Sequence, residues 1–162
     1  MPNGATSPDF PALLPLGMHK MSITELRKLC VDRFDLSTTR DAIMQGLEQV
    51  VNILHAQSIK GKLWVDGSFL TEKINPHDSD VVLFVQGLFY DNATITQRQA
   101  IDFLSSDLKT TYYCDSYVSY EWPEAHLMHW EGEYWRAYWL KQWGFGRDEA
   151  NGPAKGIAVI TL

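Results

Sequence analysis

Cysteine is scarce in this chain: Cys30 and Cys114 are the only two in 162 residues, which excludes a disulfide framework. A reducing cytoplasm with two free thiols is the expectation. No apolar run approaches the length of a membrane span. The N-terminus carries Pro2, Pro8, Pro11 and Pro15 in place of an uninterrupted apolar core, so no signal peptide is expected. Basic charge is short as well. Lys and Arg number 14 against 20 Asp and Glu, for a net charge of −6. A protein that grips a long nucleic acid through its phosphates needs a basic face, so extended nucleic-acid binding is not expected. Small nucleotides or a protein fit the balance better. Several catalytic signatures are missing too. There is no Gly-x-Ser-x-Gly elbow, no Gly-x-Gly-x-x-Gly fingerprint and no Walker-type loop. His126 and His129 stand three apart, but no His-Glu-x-x-His pattern or well-spaced third ligand accompanies them, so zinc is not expected.

What is present reads as one globular domain, with 45% apolar and 21% charged residues. Residues 1–20 are expected to form a flexible tail that docks through Leu13 and Leu14, and residues 21–162 the domain. Ser22-x-x-Glu25 is a capping box, opening a helix over 23–34. Ile43, Leu47, Val50 and Leu54 recur at helical spacing and predict a helix over 38–57. A strand is expected at 63–66 and a polar loop at 67–77. A near-continuous apolar strand, covered on both faces, follows at 79–85. Thr94-x-x-Gln97 caps a helix over 95–106. Residues 110–120 alternate and are rich in β-formers, predicting a strand. A helix over 124–143, ending at Gly144-Phe145-Gly146, and a strand over 154–162 complete the pattern. The expected class is α/β or α+β, a mixed sheet flanked by helices.

The most informative stretch is Gly67-Ser68, followed by Asp78-Ser79-Asp80. An apolar run ends in a Gly-Ser turn, and two carboxylates one residue apart open the next run. Glycine lets backbone approach an anion, and a small hydroxyl donates to phosphate oxygens. Asp at i and i+2 of a strand points to one side, so both carboxylates can face a single hard cation. Asp115 sits inside the aromatic run Tyr112-Tyr113-Cys114-Asp115-Ser116-Tyr117, where an unpaired buried charge would be costly.

Gly67-Ser68 with Asp78-x-Asp80 resembles the signature of the DNA polymerase beta-like nucleotidyltransferase superfamily. Leu14 to His19, Asp66 to Lys73, Asp78-Ser79-Asp80 and Cys114-Asp115 are also similar to an uncharacterised bacterial family of minimal nucleotidyltransferase-like proteins. The superfamily usually has an apolar residue between its two carboxylates, and here it is Ser79, which faces away from the metal side. The resemblance implies Mg²⁺ (or Mn²⁺) on Asp78, Asp80 and Asp115. It implies a nucleoside triphosphate whose phosphates meet Gly67, Ser68 and Lys73. It implies ATP as the nucleotide, AMP transfer to a hydroxyl of a protein, a tRNA end or a small molecule, and Asp115 as third ligand or general base. Toxin–antitoxin and phage-defence roles also enter through it. The rival expectation is a catalytically inactive module of the same fold that binds a nucleotide or a partner protein.

Further candidates come from position alone. Lys73 and His77 could each neutralise phosphate, and Arg147 and Lys155 could reach a phosphate or an acceptor, though loop Lys and His are more often plainly solvated. Asp66 reads first as a turn-capping residue. Five of the six tryptophans fall after residue 120, and Trp135, Trp139 and Trp143 share one helix side. Core packing is the plainer reading of this segment, 122–143, and a surface for a protein partner the sharper one. Tyr113 or Tyr117 could offer a shelf to a nucleoside base.

Overall fold

A computed structural model describes residues 10–144 and 154–162. Five strands form one mixed sheet in the order β1-β5-β2-β3-β4. They are β1 (Gly17–Lys20), β2 (Lys62–Asp66), β3 (Ser79–Gln86), β4 (Cys114–Glu121) and β5 (Gly156–Thr161). β1 runs parallel to β5 and β3 parallel to β4, while β2 is antiparallel to both of its neighbours. The helices are α1 (Ile23–Cys30), α2 (Arg40–Ala56), α3 (Gly87–Asn92), α4 (Ile95–Phe103), α5 (Lys109–Tyr112) and α6 (His129–Trp143). A short 3-10 turn, Ser68–Leu70, follows β2.

Strand periodicity divides the core in two. Leu63, Val65, Val81, Leu83, Val85, Ala158 and Ile160 point to the face covered by α1, α2 and α4. The helical stripe Ile43, Leu47, Val50 and Leu54 packs there, each no more than 1% exposed. Trp64, Val82, Phe84, Ile157 and Val159 point the other way and meet Trp139 and Trp143 of α6. Both faces are covered, which is why β3 reads as an unbroken apolar run.

Both capping boxes form: Ser22 accepts from the Glu25 N–H and Thr94 from the Gln97 N–H. Other expectations shift. The helix expected over 23–34 ends at Cys30, and the one expected from 124 begins at His129. Before α6 the chain turns, with the His126 ring stacked on Trp122 at 4.3 Å and the His129 ring 2.8 Å from the Trp122 carbonyl. The strand expected over 110–120 begins only at Cys114. Residues 109–112 make one helical turn instead. The Asp107 carboxylate accepts from the Lys109 N–H at its start, and Tyr113, at φ 54°, ends it in the left-handed region. Leu13 and Leu14 dock by backbone bonds to Leu70 and Gly156, and residues 17–20, expected within a tail, form the edge strand β1. Residues 1–9 of the expected tail lie outside the described residues, as do Phe145 and Gly146 of the expected helix end.

Arg40 ties the helices to the site. Its guanidinium is 1% exposed and donates to the carbonyls of Cys30, Phe69, Thr71 and Lys73. Burial lowers its pKa to about 10, and it also lies 3.7 Å over the Phe34 ring. Two of those carbonyls belong to the segment leaving the 3-10 turn, so α2 fixes the path of the chain after Gly67-Ser68.

Candidate functional site

Strand register builds the site. Asp66 of β2 pairs with Asp80 of β3, and Asp80 with Asp115 of β4. Cross-strand partners point to the same face, so three carboxylates form a row across neighbouring strands spanning roughly 10 Å. That face is the α6 face, because Asp80 alternates with Val82 and Phe84. Asp78, one residue before β3, stands beside the row. Register sets Asp80 beside Asp115, Lys109 links Asp115 to Asp78, and the sheet adds Asp66.

Gly67 lies against this row with φ 84°, a conformation that favours glycine. A Cβ there would collide with Oδ2 of Asp80. Only a residue without a side chain lets β2 turn into the 3-10 helix beside that carboxylate. The Gly67 carbonyl accepts from the Leu70 N–H, and the Thr71 hydroxyl donates 2.7 Å to the Ser68 carbonyl. Ser68 itself is half-buried at the head of the turn.

Two lysines balance the charge. Lys155 Nζ lies 3.1 Å from Asp66 Oδ1 and donates to the Gly67 carbonyl at 3.3 Å. Asp66 is 1% exposed, and Lys155 is the cation that faces its Oδ1. Burial pushes the Asp66 pKa up to about 7 against the pull of Lys155. Lys109 Nζ stands 3.0 Å from Asp115 Oδ2 and 3.3 Å from Asp78 Oδ2. Burial, and then the charges of Asp78 and Asp115, push Asp80 up to about 6.

Behind the row, Ser79 is fully buried on the α2 side, with its hydroxyl 3.5 Å from the Cys114 sulfur. Burial lifts the Cys114 thiol to about 11, which keeps it protonated and unreactive. Tyr117 shares the face of Asp115 and packs on Trp139 at 4.8 Å, whereas Tyr113 falls before the strand. Lys73 acts through its carbonyl, which accepts from Arg40, and no contact links its ammonium to the row among the described residues. His77 is exposed, and Arg147 lies outside the described residues.

Sequence reasoning gave Asp66 a local role and did not consider Lys109. The signal for Asp66 was its place at the end of an apolar strand facing Asp80, which only the register reveals. Lys109 lies six residues before Asp115, and no motif marks it.

Among the described residues no three His, Cys, Asp or Glu side chains converge as metal ligands do. Lys109 stands between Asp78 and Asp115, and Lys155 pairs with Asp66. The donors themselves are carboxylate oxygens, the hard ligands that Mg²⁺ and Mn²⁺ take, and the side-chain-free wall at Gly67 leaves Asp80 approachable. In donor chemistry the residues fit a divalent cation.

A mixed sheet bearing a carboxylate row at one end thus characterises the fold and its site. The chain belongs to the family described as "Family of unknown function (DUF6932)", whose model matches residues 8–161. No curated protein and no solved structure matches it.

Proposed function

We propose that this protein is a nucleotidyltransferase of the polymerase beta-like kind, moving a nucleoside monophosphate, AMP in the first instance, from a nucleoside triphosphate to a hydroxyl acceptor. The observation that carries this reading is the register Asp66–Asp80–Asp115 beside a turn whose Gly67 tolerates no side chain. Asp78, Asp80 and Asp115 would hold Mg²⁺ or Mn²⁺, which supplies charge neutralisation and lowers the pKa of a bound hydroxyl. Gly67 and Ser68 take the β- and γ-phosphates, with the open backbone admitting the anion and the serine hydroxyl donating to it. Asp115 accepts the proton of the acceptor hydroxyl. That oxygen bonds to the α-phosphorus, the bond from the α-phosphorus to the β-bridging oxygen breaks, and pyrophosphate leaves toward Gly67-Ser68. Catalysis on this scheme is mostly positioning and electrostatics.

The net charge of −6 favours a protein, a small molecule or a single tRNA end as acceptor over long nucleic acid. Trp130 and Tyr134 of α6, 66% and 58% exposed, give a protein partner an aromatic surface. The two free thiols fit a reducing cytoplasm, and the resemblance suggests a role in toxin–antitoxin or phage-defence systems. The second reading, a non-catalytic nucleotide- or partner-binding module, draws on one observation: Lys109 already neutralises Asp78 and Asp115.

The test is label transfer. Purified protein is mixed with each α-labelled nucleoside triphosphate, Mg²⁺ or Mn²⁺ and cell extract, alongside Asp80→Asn. A labelled product lost in the variant is expected, and its size identifies the acceptor class. No label in any combination would leave the non-catalytic module as the better account.

A further inference from the structure

The two lysines of the site are held differently. Lys155 is 13% exposed in its side chain and bound to both a buried carboxylate and a backbone carbonyl. It is part of the structure. The Lys109 side chain is 51% exposed, and its ion pairs among the described residues are with carboxylates that are themselves 28% and 33% exposed. Its backbone is fixed nonetheless. The Lys109 N–H donates to Asp107 at 3.0 Å, and its carbonyl accepts from the Tyr113 N–H at 3.1 Å. Gly46 lets α5 press on α2 so closely that a Cβ there would collide with the Tyr112 carbonyl. A rigid base therefore carries a half-exposed ammonium in the space between Asp78 and Asp115.

One ammonium and one divalent ion cannot share the same carboxylate oxygens, because like charges a few ångströms apart repel. A divalent ion brings twice the ammonium's charge to the same oxygens, so it competes with the lysine for them as its concentration rises. We propose that Lys109 is an exchangeable resident cation: it bridges Asp78 and Asp115 while the site is metal-free, yields that position to a divalent ion, and so sets the ion concentration at which the site loads. This rests on the metal-dependent reading above and adds to it a residue that tunes metal occupancy.

The experiment is a Mn²⁺ titration of the metal-free full chain, followed by the electron paramagnetic resonance signal of free Mn²⁺, for the wild type, Lys109→Gln and Lys109→Arg. Circular dichroism checks that each is folded. Lys109→Gln should bind Mn²⁺ about three- to tenfold more tightly than wild type, because the competing charge is gone. Lys109→Arg should stay near the wild-type affinity. A purely structural lysine would give equal or weaker binding in the Gln variant, and that result overturns this inference alone. Mn²⁺ binding by neither protein would overturn it together with the metal-dependent function.

Discussion

The two faces of the sheet are built from the same strands and do different work. On the α2 face the positions from Leu63 to Ile160 are closed and, Ser79 apart, the buried ones are apolar, and Arg40, the one buried cation among the described residues, spends all its donors on carbonyls. On the α6 face the apolar cluster of Trp64, Val82, Phe84, Trp139 and Trp143 stops short, and carboxylates occupy the remaining end. One register places Val81 in the first environment and Asp80 in the second. The closed face packs apolar side chains, and the other face forces like charges together at its open end.

The largest effect in breaking this contrast belongs to Arg40. Arg40→Met leaves buried carbonyls without donors and frees the chain after the 3-10 turn. It should cost about 3–5 kcal/mol in urea unfolding. A loss under 1 kcal/mol would show that the closed face does not depend on that hub.

Asp80 should behave in the opposite sense. Its pKa is about 6 in the fold against an ordinary 3.8, so the folded state holds the proton more tightly. The stabilising contribution of the protonated carboxyl is complete below about pH 4 and is lost as pH rises through about 6. In metal-free buffer, Asp80→Asn should therefore exceed wild type in stability by about 2 kcal/mol at pH 8, allowing for partial exposure, with the gap narrowing toward pH 4. Thermal unfolding at several pH values measures it, and a gap independent of pH would contradict the assignment. The carboxyl that destabilises the fold is the one proposed to act, the usual tension between function and stability.

Ser79 sits between the two carboxylates yet belongs to the closed face. Ser79→Ala removes only a long contact to Cys114 and should change stability by less than about 1 kcal/mol. Unfolding midpoints within 2–3 °C of wild type are expected. A larger loss would show that this hydroxyl supports the carboxylate row from behind.

The sequence showed the parts of this arrangement that are local. Asp78 and Asp80 share a side because strands alternate, and the boxes at Ser22 and Thr94 are written within four residues. It hid what pairing creates. Gly17-Met18-His19-Lys20 has no apolar alternation, and it is a strand only because β5 offers it an edge. Thr110-Thr111-Tyr112 has strand formers but makes a helical turn, since Asp107 caps it and α2 packs beneath. Asp66 and Lys155 meet across 89 positions, a distance no motif spans.

The placement of β5 between β1 and β2 has a consequence for biosynthesis. β2 and β3 are near neighbours in the chain and can zip together early, as a hairpin with a long loop. The opposite edge of β2, flanked by Leu63 and Val65, stays unsatisfied until β5 is made, roughly a hundred residues later. For that interval a nascent chain presents an open apolar edge, the kind of surface that chaperones cover and that aggregation exploits. Lys155 arrives with the same strand. The polypeptide therefore gains its complete sheet and the neutralising partner of Asp66 in one late event, and a ribosome-bound intermediate has neither.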